Sequence, residues 1–305
     1  MSNNKKLGIN ERKVIFENII TIFDDGIPIE NKGSGRENII KTQIALDKTS
    51  SKVDVIAIEE PENHLSHNNL IKMVENIKNQ TDKQLIRTTH SSVIANSLNL
   101  SNVIWIRNEK ACTLQQIEKD DAEFFLKSTS NNMLHFILSD KVILVEGPTE
   151  FMMLPYIYNK IYGEAIDKSG IIVIDCGGVT YKRYIDIARK TNKKVAVLTD
   201  NDNKPSNISY MEEFNLTEEN IRIFMDSNVE NWTWEACLYN LNSDILDGYI
   251  EIDQDSDYLF HQKDYGKVLG KMLNNKVDVA YKMINDNLKF EVPQYIKDAL
   301  EWIRE

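Results

Sequence analysis

Two apolar runs of the chain end on carboxylates. Val142-Ile143-Leu144-Val145 ends on Glu146-Gly147-Pro148-Thr149-Glu150, and Val195-Ala196-Val197-Leu198 ends on Thr199-Asp200-Asn201-Asp202. Runs of this kind read as buried strands, and ligands of open α/β sheets gather at the carboxyl ends of strands. Glu146, Asp200 and Asp202 at one sheet edge repel one another unless a cation lies between them. Oxygen donors suit Mg²⁺ or Mn²⁺, and no Cys/His set in the chain has zinc-ligand spacing. Glu150, one helical turn past Glu146, is spaced to face the same site. One strand-end glutamate alone is as readily a structural group; the set points to metal-assisted chemistry on a phosphate.

The elements that must hold these groups alternate strand and helix from Lys141 onward, which predicts a parallel sheet with crossover helices. The helix after Glu146 carries Phe151, Met153, Leu154, Ile157 and Ile161, with Pro155 inside it and expected to kink or delay it. Ile171 to Ile174 is a second strand ending in Asp175-Cys176-Gly177-Gly178, followed by a helix from Thr180. Lys194 to Leu198 is the third strand and Arg222 to Phe224 the fourth. Lys182, Arg183 and Arg189 could face phosphates, although a solvated helix face is the commoner explanation.

The first half carries a second set of chemistry-bearing residues. Asn10 is placed to cap a helix carrying Val14, Ile15, Ile19, Ile20 and Phe23, and Ile27 to Ile29 reads as a short strand. Gly33-Ser34-Gly35 opens a helix with Ile39, Ile40, Ile44 and Leu46 inward. That is either an anion site at a helix N-terminus or a Gly-rich turn with a Ser cap. The strand from Val53 ends on Glu59-Glu60, where adjacent carboxylates can hold Mg²⁺ and polarise a water. A helix with Leu70, Ile71, Val74 and Ile77 follows. The strand Gln84 to Arg87 then runs into Thr88, Thr89 and His90, a histidine placed either to sense a phosphate or to serve as a structural group. Val103 to Ile106 and Cys112 to Ile117 read as strands, and Asp120 to Leu138 as a broken helix packing Phe124, Phe125, Leu134, Phe136 and Ile137.

With 305 residues, 42% hydrophobic and 27% charged, the composition is that of a soluble globular protein. No apolar run approaches the roughly 20 residues of a membrane span, and the start has no signal-peptide core. Three cysteines, Cys112, Cys176 and Cys237, argue for a reducing cytoplasm and against a disulfide framework. A formal net charge of −11 opposes nucleic acid, so DNA binding would need a local groove or bridging metal ions. No Gly-x-x-x-x-Gly-Lys-Ser/Thr phosphate loop occurs in the chain.

Taken together, Gly33-Ser34-Gly35, Val55 to Glu60 and His90 resemble the second half of an ABC-type ATPase head. They correspond to its signature motif, its Walker B strand with Glu60 at the catalytic-base position, and its switch histidine. Glu62 to Leu65 fits its D-loop. The resemblance implies a nucleotide site at Gly33, Ser34, Gly35, Glu59, Glu60 and His90 that uses ATP only with a Walker A-bearing partner.

The order strand-Glu-Gly, strand-x-Gly-Gly, strand-Asp-x-Asp resembles a TOPRIM domain. Glu146 to Pro155, Thr199 to Asp202, Asn231 to Leu238, Lys276 and Pro293 to Ile303 are similar to the OLD-family endonucleases of GajA-like type. The fold implied is α/β: a partial ABC-type ATPase lobe (1–117), a helical connector (118–140), and a Rossmann-like TOPRIM domain with a mainly parallel sheet and a helical C-terminal extension (141–305).

The function implied is a metal-dependent DNA endonuclease or nickase in anti-phage defence or DNA processing. It would use two Mg²⁺ or Mn²⁺ ions held by Glu146, Glu150, Asp200, Asp202 and Glu235, with Glu146, Asp200, Asp202 and Lys276 catalytic. Cys237 stands where the family commonly has Asp, which could shift that metal's load to Glu230 or Glu235. Strand passage and primase activity are disfavoured by the same resemblance. Implied partners are DNA, further copies of the chain, and a separate Walker A chain or a helicase-like defence partner, with no membrane. The alternative is a non-catalytic nucleotide-sensing or assembly subunit of a split ATPase–nuclease. The partial ATPase lobe is expected to leave an apolar face exposed.

Overall fold

Four parallel strands carry the second half of the chain. β8 (Lys141–Val145), β9 (Ile171–Asp175), β10 (Lys194–Leu198) and β11 (Ile221–Phe224) lie in the order β11-β10-β8-β9, every neighbouring pair parallel. The computed structural model describes residues 5–9, 20–48, 55–60, 62, 65, 69, 72–73, 84–89, 103–107, 110–113, 132–177 and 181–305. The strand order decides where a site can be. From β8 the chain moves to β9 on one side, then crosses back to β10 on the other. The connections therefore diverge at the carboxyl ends of β8 and β10, the switch point where such sheets open a crevice.

Val142 to Val145 and Val195 to Leu198 are buried along their length, as strands covered on both faces must be. Alternation sends Ile143, Val145, Ala196 and Leu198 to one face. There they pack with Met153 and Ile157 of α3 (Pro148–Tyr162), Leu238 of α6 (Trp234–Tyr249), and Ile296 and Leu300 of α9 (Gln294–Arg304). α3 is continuous through Pro155, where a kink was expected. Met153, Leu154 and Ile157 anchor it on both sides of the proline, so packing outweighs the missing backbone bond.

The opposite face carries α4 (Tyr181–Thr191). Phe136 of α2 (Asn132–Leu138) meets Tyr184 of α4 edge-on, ring centroids 5.1 Å apart. Lys193, fully buried, donates from Nζ to the carbonyls of Ile137 at 2.6 Å and Ser139 at 2.5 Å. It thereby satisfies orphan carbonyls at the end of α2 and holds that helix to the start of β10. Among the described residues the unit also holds α5 (Pro205–Thr217), α7 (Lys267–Asn274) and α8 (Lys276–Asn285). Asn242 sits at a kink inside α6, where its amide bonds both ways with the backbone of Glu291 and ties the C-terminal segment down.

The chain divides into two compact units, Met1–Val103 and Ile104–Glu305, which places the hairpin β6 (Ile104–Arg107) and β7 (Lys110–Thr113) in the second. In the first, β1 (Lys5–Ile9), β2 (Ile20–Asp24) and β3 (Ile27–Pro28) form an antiparallel sheet. The helix expected to reach Phe23 is overturned from Ile20 onward; residues 10–19 lie outside the described set. Ile20, Thr21 and Ile22 are β-branched and pair with β1, which suits a strand better than a helix. α1 (Ser34–Lys48) starts at Ser34, with Gly33 before it at φ +70°, so Ser34 is the first helical residue and not the cap. Asp24 fixes this end through Lys32 at 2.9 Å and Arg36 at 3.2 Å, and its carboxyl is held below its ordinary pKa chiefly by the Lys32 hydrogen bond.

β4 (Val55–Glu59) and β5 (Gln84–Thr88) pair in parallel. On one face of this pair Val55, Ala57 and Ile86 are exposed. Among the described residues, no helix is long and apolar enough to cross a membrane.

Candidate metal centre

Glu146 stands where β8 ends, and across the switch point the Thr199 hydroxyl at the end of β10 donates to its Oε1. The backbone N–H of Asp200 reaches the same oxygen at 3.4 Å. The parallel register of β8 on β10 thus puts the two carboxylate-bearing ends side by side. Burial pushes Glu146 above the ordinary carboxylate range, against the lowering effect of those two hydrogen bonds. Gly147 is extended at φ −151°, ψ 178°, a conformation open to any residue. Its lack of a side chain matters for another reason: a Cβ there would lie 3.3 Å from Glu150 Oε2. Glu150 follows in the first turn of α3 and is buried. Desolvation, reinforced by Glu235, moves it up to about 7.

At the end of β10, Asp200 is raised well above its ordinary value by burial, then by Glu146, Glu150 and Glu235. Asn201, between the two acids, is 1% exposed. Its amide donates to the carbonyls of Asp226 at 3.0 Å, Asn228 at 3.0 Å and Asn231 at 3.1 Å, and its Oδ1 accepts from the N–H of Asn203 at 2.8 Å. The acid-flanked turn is thereby tied to the 226–231 loop that leads into α6. Asn201→Ala would leave these groups unpaired and is expected to cost about 2–4 kcal/mol, measured as a loss in urea-unfolding free energy. Asp202 takes a left-handed φ of 56°, a conformation Asp tolerates. It lies exposed at the rim, near Lys204 Nζ at 3.4 Å, and its own N–H donates to the carbonyl of Trp232 at 3.2 Å.

Two helices from later in the chain complete the cluster. Thr233 caps α6, its hydroxyl accepting from Ala236 N at 3.2 Å, and this cap places Glu235 in the first turn. Glu235 is buried and bonded at 2.8 Å to Nζ of Lys276, the first residue of α8. Burial works against the Lys276 charge, but Glu235, Asp200 and Glu150 outweigh it and raise its pKa. Cys237 points away from a ligand role: its Sγ donates to the Asn231 carbonyl at 3.3 Å, Tyr295 bonds to it, and burial pushes the thiol up. Glu230 is exposed on the loop before α6.

After burial, Glu235 and Glu146 raise the Glu150 carboxyl, and Glu146, Glu150 and Glu235 raise that of Asp200, with Lys276 as a cation acting on both. Among the described residues, no three His, Cys, Asp or Glu groups converge as a ready-made cage. Glu146 is turned to Thr199, and Glu235 to Lys276. The donor set is oxygen-only and its buried carboxyls are mutually repulsive, a chemistry that fits a hard divalent cation.

In the first unit, Gly33, Ser34 and Gly35 open α1, and Glu59 and Glu60 end β4, with Glu60 at φ +42° and its N–H bonded to the Thr88 carbonyl at 3.0 Å. His90, like Leu70, Ile71, Gly178 and Thr180, lies outside the described residues. Lys182 and Arg189 follow the bland expectation: Arg189 pairs with Asp186 and Glu218, and Lys182 lies over the Tyr210 ring. Sequence reasoning missed Asn201 and Thr199; a polar residue next to a strand-end acid is the only signal either leaves.

Residues 137–202, from α2 through the Asp200–Asp202 turn, match the TOPRIM domain of the overcoming-lysogenization-defect (OLD) protein-like family. Residues 1–95 match an AAA ATPase domain. The chain is 23% identical to Endonuclease GajA of Bacillus cereus (strain HuB5-5) over 338 aligned positions, covering 83% of this chain and 49% of the relative. It is 27% identical to the Old nuclease of Escherichia phage P2 over 151 positions, covering 46% of this chain and 25% of that protein. The chain therefore spans about half the length of the first relative and a quarter of the second. The C-terminal region of the Burkholderia pseudomallei OLD protein is a structural neighbour at TM-score 0.36 and 19% identity, over 55% of this chain and 98% of that one. The chain thus carries a segment similar to an AAA ATPase domain followed by one similar to the OLD-like TOPRIM domain.

Proposed function

We propose that this chain is a divalent-metal-dependent DNA endonuclease or nickase. The observation that carries the reading is the placement of Glu146 and Asp200 at neighbouring strand ends of the switch point, within electrostatic reach of Glu150, Glu235 and Lys276. The names of the two relatives, an endonuclease and a nuclease, support the same class.

Glu146, Glu150, Asp200, Asp202 and Glu235 would hold the metal, Mg²⁺ or Mn²⁺ at two positions. Bound there, divalent ions supply Lewis acidity toward the phosphate and a water made more acidic. The chain's own groups do the rest. Thr199 orients Glu146, Gly147 leaves room for the Glu150 carboxyl, and Asn201 holds the acid-bearing turn. Lys276 supplies fixed positive charge toward the non-bridging oxygens, where negative charge develops. Defence against phage is the biological setting we propose with it.

The test is plasmid nicking with Mg²⁺ or Mn²⁺ by wild type, Glu146→Ala and Lys276→Ala. Loss in both variants supports the reading; equal nicking by all three overturns it. A second reading, favoured by the open face of β4 and β5, is a non-catalytic assembly subunit completed by an ATPase partner. It requires partner binding that Glu146→Ala leaves intact and no nicking by the wild type.

A further inference from the structure

Trp234, the first residue of α6, is 1% exposed and belongs to the same buried core as Met153, Leu238, Met272 and Met283. An indole offers one polar atom, the Nε1–H, and it can only donate. Among the described residues of the second unit, it is the one buried side-chain polar atom without a hydrogen-bond partner. A donor buried in this way costs about 1–3 kcal/mol, which an acceptor beside it would remove.

A cavity bordered by α3, α6, α7 and α8 provides the place for one. Trp234 lines it together with the four apolar residues just named, and Thr149, Glu235 and Lys276 give it a polar wall. Its volume is about 10 Å³, about what one water needs and too little for a larger molecule.

The chemistry of the wall narrows the occupant further. A cation would meet the Lys276 ammonium and an indole that can only donate. An anion would meet the Glu235 carboxylate, which is 3% exposed and accepts from Lys276 Nζ at 2.8 Å. An apolar occupant would leave the Trp234 N–H unpaired. A neutral molecule that accepts from N–H groups and donates to a carboxylate suits all three side chains, and at this size that molecule is water. We propose that a single internal water fills the cavity, accepting from Trp234 Nε1–H and donating to Glu235, and that Trp234 is thereby a positioning residue for the Glu235–Lys276 pair. Glu235 is then held from two sides, by Lys276 and by the water, which fixes the rotation of its carboxylate. The positioning role rests on the proposed reading of the carboxylate site; the water itself does not.

High-resolution crystal structures of the wild-type chain and of Ala280→Val test the water. Ala280 is 2% exposed on α8 and lines the cavity, so the added methyl groups fill it and leave the indole in place. The wild type is expected to show a water within hydrogen-bond distance of both Trp234 Nε1 and Glu235, and Ala280→Val to show none. A wild-type cavity without that water, or a Trp234 Nε1 bonded to a protein group, overturns the proposal. Calorimetric titration of Mn²⁺ tests the positioning role. Trp234→Phe keeps an aromatic side chain but no donor, and Ala280→Val keeps the donor but displaces the water. Each is expected to weaken Mn²⁺ binding about tenfold, whereas Met272→Leu, a volume-conserving change in the apolar wall, is expected to bind as the wild type does. Should one of the first two fail to fold, as judged by its melting curve, the other decides. Wild-type affinity in the folded variants, or an equal loss in Met272→Leu, overturns the positioning role. Absence of Mn²⁺ binding by the wild type removes the reading of the carboxylate site and the positioning role with it, while the crystal structures still decide the water.

Discussion

Asp200→Asn is expected to lower DNA nicking by roughly 10²–10³-fold while raising the melting temperature of the metal-free chain. The two effects have one cause. Asp200 is desolvated and near Glu146, Glu150 and Glu235, so its negative charge is unfavourable in the fold and is relieved by a proton or a cation. An amide of the same shape removes the strain and the ligand together. A gain of about 1 kcal/mol corresponds to about 2–4 °C in a domain of this size. Glu235→Gln should move stability the other way, because Glu235 is buried and paired with Lys276 at 2.8 Å. Thermal melts in EDTA check both directions. A fall in melting temperature for Asp200→Asn would show that the carboxylate stabilises the fold and is no strained ligand.

The second large effect is a metal-dependent reversal of the pH profile. Glu150 titrates near 7 in the folded chain against 4.5 for an ordinary glutamate, and Glu146 and Asp200 are also raised. Between those values the folded chain holds protons that the unfolded chain has lost. The contribution is thus fully present below about pH 4.5, and stability falls as pH rises towards about 7. For Glu150 alone that amounts to on the order of 3 kcal/mol. Divalent cations favour the ionised carboxylates, so the stabilisation by Mn²⁺ should grow across the same window. Urea unfolding at several pH values, with EDTA and with Mn²⁺, measures this. A metal-free profile that is flat or rises across the window would contradict it.

How much of this was legible in the sequence depended on how local each signal is. β8 and β10 are short β-branched runs, and their ends fix Glu146 and Asp200 without help from the rest of the chain. Glu150 was legible from helical spacing alone. Glu235 and Lys276 were not, because each opens a helix brought in from far along the chain and nothing near either residue marks it; only the family resemblance singled them out. Asn201 does its work through carbonyls 25 to 30 residues away, which no local pattern encodes. Ile19, Ile20 and Phe23 fit a helical spacing, yet pairing with β1 made Ile20 to Asp24 a strand. Nothing in the sequence marks that a Cβ at Gly147 would lie 3.3 Å from the Glu150 carboxyl.

Calorimetric titration of Mn²⁺ into the wild-type chain and into Glu146→Gln and Asp200→Asn decides most directly whether the switch-point carboxylates are a metal site. Saturable binding by the wild type, weakened at least about tenfold in each variant, is the predicted result. No saturable binding, or binding of equal affinity in all three proteins, would contradict it.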